Sequence, residues 1–258
     1  MIFSWLKQRR RRKLAAAPLP AEWKQIVQRN VRHYRGLPPA EQHSLERRTQ
    51  VFVAEKHWVG CGGLQMTDEV KVTIAAQACL MLLGVPEDFC FDGLLSVLVY
   101  PSTYLMPPQH QQQHLVVDLD LEMLGEAWHR GPVVLSWEHV LRGCRDGDDG
   151  QNVVIHEFAH QLDGLDGAAD GMPPLTGRGE QRRWEQVAAV EYERLVASSE
   201  RGEATLLDQY GATNRAEFFA VASECFFEQP VRLRRRHSEL YEILRGLYRQ
   251  DPAARREA

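Results

Sequence analysis

The pattern HExxH occurs at His156, Glu157 and His160, and these residue types at this spacing are suited to metal-dependent hydrolysis. On a helix, residues four apart lie on one face, so both imidazoles can bind a single metal ion. Catalytic zinc sites commonly have three protein ligands and one position for water. A carboxylate beside the ion can take the proton of that water as it attacks a peptide carbonyl. The pattern therefore predicts one Zn²⁺ per chain, with Glu157 as the general base.

The residues around the pattern predict a buried helix. Asn152 is suited to be the N-cap, and a mainly apolar segment follows to about Leu162. Histidine and glutamate side chains near a core are costly unless they are paired or bound to a metal. The surroundings therefore favour a metal site over a chance occurrence of HExxH on an ordinary helix.

The third metal ligand has several candidates. The longer pattern HExxHxxGxxH needs glycine at position 163 and histidine at position 166, and this chain has Asp163 and Asp166, which excludes the metzincin pattern. Asp166 is one possible oxygen ligand, and Asp163 is suited to orient a histidine N–H. Glu217 and Glu224 lie seven residues apart and share one face of an apolar helix. Alternatively, Glu217 belongs to a capping box with Asn214, and Glu224 to a solvated stripe or to the surroundings of a ligand.

A resemblance to a known family distinguishes between these candidates. Segments 156–163 (HEFAHQLD) and 216–224 (AEFFAVASE), with Tyr210 before the second, resemble the Mlc titration factor A family over most of the chain. The resemblance implies a cytoplasmic zinc metallopeptidase of the aminopeptidase type, with a catalytic core similar to that of anthrax lethal factor. In the family pattern the first glutamate of the second helix binds zinc and a tyrosine seven residues earlier faces the metal. These positions match Glu217 and Tyr210, so the resemblance favours Glu217 over Asp166.

The resemblance also bears on partners. A tyrosine near zinc can donate a hydrogen bond to the oxyanion of the tetrahedral intermediate, which predicts a catalytic role for Tyr210 and a peptide as substrate. Members of the family are named for binding the glucose repressor Mlc, so a transcriptional repressor of glucose uptake is an implied second partner. The alternative function is a regulatory binding protein that sequesters a transcription factor, with hydrolysis incidental.

The elements that position these residues are mostly helical. Apolar periodicity and helix-end signals predict helices at 23–34, 40–55, 68–83, 152–162, 184–196, 216–228 and 238–248. Runs rich in valine and leucine predict short strands at 94–100 and 131–137, and the second is expected to align a peptide near the cleft. The predicted fold is a mainly helical α+β protein with a zincin-like metallopeptidase core and a small β-sheet.

The predicted domain organisation follows the composition along the chain. Residues 1–20 contain the basic run from Arg9 to Lys13 and end in a proline-rich segment, which predicts a flexible basic tail. Residues 21–258 are predicted to form a single metallopeptidase domain. Its helical N-terminal part extends to about residue 90, and its catalytic core begins at about residue 91.

The overall composition excludes several classes of protein. With 31 basic and 35 acidic residues the formal net charge is -4, which argues against nucleic acid as a direct partner. The five cysteines contain no CxxC pair, so they predict reduced thiols and not a cysteine zinc site. No segment approaches the roughly 18 apolar residues of a membrane span, so no membrane partner and a cytoplasmic location are expected.

Overall fold

The structure, a computed structural model, describes residues 2–87, 89–103, 131–145, 149–175 and 177–257. Within these ranges its helices are α1 (Ile2–Ala16), α2 (Ala21–Asn30), α3 (Pro39–Glu55), α4 (Asp68–Leu80), α5 (Trp137–Arg145), α6 (Val153–Asp163), α7 (Arg178–Glu200), α8 (Arg215–Glu228), α9 (Pro230–Arg236), α10 (Ser238–Tyr248) and α11 (Pro252–Glu257). Short 3-10 helices span Arg32–Gly36, Gly164–Asp166 and Gln209–Ala212. The strands are β1 (His57–Gly60), β2 (Ser96–Tyr100) and β3 (Val133–Ser136). The predicted mainly helical α+β class is confirmed.

The three strands form a small parallel sheet in the order β1-β2-β3. Val97 at the centre pairs with Trp58 on one side and with Val133 on the other. The strands predicted at 94–100 and 131–137 correspond to β2 and β3. Strand β1 was not predicted, because its four residues follow α3 directly and only two of them are partly buried. Among the described residues β3 pairs with β2 alone and packs against α6.

The segment predicted to be a flexible basic tail is instead helix α1, which packs against α3. Arg11, within the basic run, is 6% exposed and donates through Nε and Nη2 to the two carboxylate oxygens of Glu55, at 2.8 and 2.6 Å. It also contacts Asp92, which pairs with Lys7 at 2.6 Å. A bidentate arginine–carboxylate pair is directional and stabilising when it is shielded from water. The structure therefore gives this segment a helix with a buried arginine, in place of the solvated basic residues that the composition indicates.

Four predicted helices agree with α3, α6, α8 and α10 to within two residues at each end. The helix predicted at 184–196 is longer, Arg178–Glu200, because its polar first turns carry no apolar periodicity. Pro230 was predicted to stop a helix. It does follow the end of α8, but it also occupies the first turn of α9, where a missing N–H costs nothing.

Helix α6, which carries the HExxH pattern, packs against α4, α5, α8 and β3. Phe158 on α6 is fully buried, and its ring centroid lies 5.6 Å from that of Phe52 and 4.8 Å from that of Phe91. These contacts fix one face of α6 in the core and leave the opposite face for the histidines. None of the helices within the described ranges has both the length and the apolar character of a bilayer span.

Candidate metal centre

The start of α6 is held in place by Asn152, as the sequence predicts. Its Oδ1 accepts hydrogen bonds from the backbone N–H groups of Val154 at 3.1 Å and Ile155 at 3.2 Å. The side-chain Nδ2 donates to Gln77 at 2.7 Å and to Glu228 at 2.9 Å. This one side chain therefore caps the metal helix and joins it to α4 and α8.

The candidate metal ligands are His156 and His160 on α6 and Glu217 on α8. Glu217 Oε2 lies 3.0 Å from His156 Nε2 and 3.4 Å from His160 Nε2, and the two Nε2 atoms are 3.3 Å apart. Bonds of about 2.0–2.1 Å in a tetrahedral arrangement separate two ligand atoms by about 3.3 Å. The three side chains therefore fit one zinc-sized ion with one coordination position left over.

Glu217 reaches this position from the first turn of α8. Asn214 caps α8 by accepting a hydrogen bond from the Glu217 N–H at 2.9 Å, which is the backbone part of the predicted capping box. The Glu217 side chain is 2% exposed and extends toward the two histidines of α6. The cap and the ligand position are thus compatible, and the cap orients the residue that carries the carboxylate.

Glu224 lies on the far side of His156. Its Oε1 accepts from His156 Nδ1 at 2.7 Å and its Oε2 accepts from the Asn152 N–H, so Glu224 is not part of a solvated stripe. Burial disfavours the charged imidazole, but hydrogen bonds with Glu217 and Glu224 outweigh it and raise the pKa of His156 to about 10. These carboxylates therefore favour a positive charge at this place, which a metal cation would supply. A carboxylate on the second ring nitrogen also fixes the orientation of a metal-binding histidine.

The two aspartates after the HExxH pattern lie elsewhere. Asp163 is fully buried and accepts from the Gly171 N–H at 3.0 Å, so it closes the loop after α6 and does not orient a histidine, the role for which its position is also suited. Burial raises the pKa of Asp163 to about 6. Asp166 is exposed and accepts from the Ala168 N–H at 3.0 Å. Among the described residues, the group whose atoms converge on one ion position contains Glu217 and not Asp166.

Tyr210 and Glu157 face the same centre. The Tyr210 ring centroid lies 6.1 Å from that of His156, and the tyrosine side is open to solvent, since the residue is 42% exposed. Partial burial and the charges of Glu217 and Glu157 raise the pKa of Tyr210 to about 12. The hydroxyl is therefore protonated at neutral pH and can act as a hydrogen-bond donor.

A hydrogen bond that no sequence pattern predicts joins the Tyr210 turn to the metal helix. Asp208 Oδ1 accepts from the Tyr210 N–H at 2.8 Å, and Asp208 Oδ2 accepts from Gln151 Nε2 at 2.7 Å. Gln151 directly precedes the N-cap of α6. Gly211 packs closely against the helices behind it, because a Cβ at this position would lie 3.1 Å from a side-chain atom of Leu195.

A cleft of about 300 Å³ lies beside the metal centre. Helix α5, the start of α6, the Tyr210 turn and α8 all contribute to its walls, which include His139, Arg142, Gln151, His156, Asp208, Tyr210 and Glu224. No sequence pattern indicated Gln151, Asp208 and Arg142 as residues of one cleft. An aspartate two residues before Tyr210 is typical of a turn cap, and this signal alone pointed to Asp208.

Comparisons with known proteins show what the chain as a whole is similar to. The family model described as glucose-regulated metallo-peptidase M90 matches residues 5–249. An uncharacterized protein of Synechocystis sp. is 38% identical over 250 residues, which cover 96% of this chain and 90% of that protein. Proteins named Mlc titration factor A are 34% identical over 228 residues in Serratia proteamaculans, covering 85% of both chains, and 34% identical over 225 residues in Klebsiella pneumoniae, covering 85% and 83%. The matched region contains α6, the Tyr210 turn and α8.

Proposed function

Because the chain belongs to the family of glucose-regulated metallo-peptidases M90, we propose that it hydrolyses peptide bonds with one Zn²⁺ held by His156, His160 and Glu217. The observation that carries the proposal is the separation of the three ligand atoms, 3.0 to 3.4 Å, which matches the edge of a tetrahedral zinc site. When bound, zinc supplies Lewis acidity and lowers the pKa of a coordinated water.

The residues around the ion position have separate roles in the proposed reaction. Glu157 is next to His156 in the chain, partly exposed, and takes the proton of the attacking water. Tyr210 donates its hydroxyl hydrogen to the developing oxyanion, which its raised pKa supports. Glu224 holds the His156 ring through Nδ1, so that Nε2 remains directed to the metal.

We propose a peptide amino terminus as the group that enters the cleft, which makes the enzyme an aminopeptidase. Asp208 is exposed and lines the cleft next to Tyr210, where its carboxylate attracts an ammonium group. Strand β3 packs against α6 and pairs only with β2 in the described part of the chain. Alignment of the peptide along the outer edge of β3 therefore stays a prediction.

A transcriptional repressor similar to Mlc is the proposed macromolecular partner, supported by the names of several relatives. The proposed location is the cytoplasm. All five cysteines are free, which suits a reducing compartment. Under the alternative function, in which the chain sequesters a transcription factor, hydrolysis is incidental. Glu157→Gln separates the two functions, because it removes proton transfer and leaves a distant binding surface intact.

The proposed function is tested by measuring zinc content and peptide turnover in the same preparations. Glu157→Gln is expected to retain zinc and lose nearly all turnover, whereas Glu217→Ala loses zinc and therefore turnover. Asp166→Ala tests the rejected ligand, and Glu185→Gln, at an exposed position of α7, is the matched control. Peptides with free and with acetylated amino termini test the aminopeptidase assignment. If Glu217→Ala binds zinc as tightly as the wild type while Asp166→Ala does not, the ligand set is wrong.

A further inference from the structure

A second concave region lies between α1 and α3, where a cavity of about 320 Å³ is lined by four arginines, Arg11, Arg12, Arg47 and Arg48. It shares no lining residue with the cleft beside the metal centre. Among the described residues Glu87 is the one acidic side chain in its wall. The charge on the wall of this arginine cavity is therefore strongly positive, although the whole chain carries a formal net charge of -4.

Two of the four arginines are neutralised by acidic partners. Arg11 pairs with Glu55 and Asp92, and Arg47 pairs with Glu87. Arg12 is exposed and Arg48 is buried, and neither forms an ion pair with any residue in the described ranges. Two guanidinium charges on the cavity wall thus have no carboxylate partner among the residues that the structure describes.

Arg48 is the more informative of these two. It is 5% exposed, and its two Nη atoms donate to the backbone carbonyls of Phe89 and Val85. Its Nε is buried and has no hydrogen-bond acceptor within the described part of the protein. Burial lowers the pKa of Arg48, which reflects the cost of a charged group removed from water. Such a group is destabilising unless an anion or further acceptors complete its surroundings.

We propose that the arginine cavity binds a phosphate-type oxyanion, which Arg12 and Arg48 hold with the support of Arg47. Guanidinium groups recognise phosphate through paired N–H donors, and the apolar side chains of Val51 and Phe89 limit competition from water. The volume lies near the lower limit for small-molecule sites, which suits a phosphate group better than a large ligand. The anion would neutralise the two unpaired charges.

A free phosphate compound and a phospholipid headgroup share this chemistry. The first two turns of α1 expose Trp5 to 60% and Leu6 to 48%, close to the cavity in the chain, and Arg9 lies over the Trp5 ring at 5.5 Å. Exposed aromatic and aliphatic side chains beside basic ones are suited to a membrane surface. Both sources are therefore included in the test.

The test follows the arginine Nε–H signals of ¹⁵N-labelled full-length protein by NMR during titration with inorganic phosphate at constant ionic strength. Arg12→Gln removes an exposed cavity residue, and Arg9→Gln removes the same charge from an exposed position on the same helix outside the cavity. We expect saturable shifts in the wild type, binding weakened about tenfold by Arg12→Gln, and a change of less than about twofold for Arg9→Gln. Arg48→Gln tests the buried arginine in the same way. If this variant does not fold, the comparison of Arg12→Gln with Arg9→Gln still decides whether the cavity binds phosphate.

The two sources are separated with vesicles of phosphatidylcholine, with and without phosphatidylglycerol. Saturable binding of inorganic phosphate that needs Arg12 supports a free phosphate compound. Binding only to the phosphatidylglycerol vesicles, weakened more by Arg12→Gln than by Arg9→Gln, which lies on the exposed part of α1 beside Trp5, supports a headgroup. The proposal is overturned if neither probe binds, or if Arg9→Gln weakens the binding of either probe as much as Arg12→Gln does.

Discussion

The orientation of His156 depends on Glu224, and this dependence is testable at a single residue. Glu224→Gln keeps the size of the side chain but removes its charge. It also puts an NH2 donor in the place of the carboxylate oxygen that accepts from the Asn152 N–H. Loss of such a partner typically weakens metal affinity about 10- to 100-fold. We expect zinc affinity to fall by this factor, measured by competition with a chelator. An affinity equal to that of the wild type would show that Glu224 does not orient the ligand.

The role of Tyr210 predicts a different result for another single-atom change. Tyr210→Phe removes the hydroxyl that donates to the oxyanion, so kcat should fall about 10²- to 10³-fold while zinc content stays the same. Tyr192→Phe is the matched control, because its hydroxyl contacts the Ala212 carbonyl in the same turn at 3.3 Å and not the metal centre. Equal losses in both variants would assign the effect to the turn and not to the Tyr210 hydroxyl.

These residues differ in how far the sequence could predict them. His156, Glu157 and His160 share one helix, so their spacing predicts their geometry. Glu217 lies 57 positions after His160, and the sequence alone left Asp166 and a capping-box role open as alternatives until the family resemblance favoured Glu217 as the ligand. The contact between Gln151 and Asp208 depends on two loops that meet only in the folded chain. The local periodicity of apolar residues gives no information about contacts between loops that are distant in sequence.

At the scale of elements, the hydrogen bond between Gln151 and Asp208 joins the turn that carries Tyr210 to the start of α6. Gln151→Glu places a second carboxylate against Asp208 and should lower kcat about tenfold by shifting that turn. Adding Asp208→Asn restores a donor opposite an acceptor, so the double variant should recover most of the loss in kcat, whereas KM should stay raised because the Asp208 carboxylate no longer attracts the ammonium group. Both positions are exposed, and neither change is expected to unfold the protein.

The control for this prediction is the Tyr210→Phe background. If the hydrogen bond acts by positioning Tyr210, Gln151→Glu should have little further effect once the hydroxyl is absent. The measurement is a double-mutant cycle on kcat, with zinc content as the check on the metal site. A full additional loss in the Tyr210→Phe background would contradict a positioning role.

Elements with internal periodicity were predicted well, and elements defined by tertiary contacts were not. Apolar residues at helical spacing predicted the bounds of α8 and α10 closely, and Asn214 caps the first of these helices. Helix α1 has a largely polar sequence, and its position depends on the pairing of Arg11 with Glu55 on α3. Strand β1 is short, and its strand conformation depends on pairing with β2. Pairing across 44 positions of sequence cannot be deduced from a local pattern.

At the scale of the whole molecule, the helical N-terminal part and the catalytic core share buried groups. Asn152 at the start of α6 contacts Gln77 on α4 and Glu228 on α8, and the hydrophobic core is one cluster from Leu19 to Ala253. The single domain at 21–258 stays a prediction, and this continuity supports it. A change at Glu228 should consequently affect the stability of the entire chain.

Glu228 provides a prediction about pH. It is fully buried, and its Oε2 lies 3.6 Å from His33 Nε2 and has no hydrogen-bond donor in the described ranges. Burial raises the pKa of Glu228 from 4.5 to about 8, although the hydrogen bond from Asn152 opposes the shift. Proton binding therefore favours the folded state. The stabilisation is complete below pH 4.5, declines as the pH rises, and is lost above about pH 8.

Glu228→Gln stays neutral at every pH and can still accept the hydrogen bond from Asn152. We therefore expect the free energy of unfolding of this variant to fall less than that of the wild type between about pH 5 and about pH 8. Urea unfolding at several pH values measures the difference, and Glu193→Gln, at an exposed position of α7, is the matched control. Asp163, whose pKa is raised to about 6, contributes a slope of the same sign in every variant, so only the difference between variants reports on Glu228. Identical slopes for Glu228→Gln and the wild type would mean that the buried carboxylate is charged throughout this range and has a cationic partner.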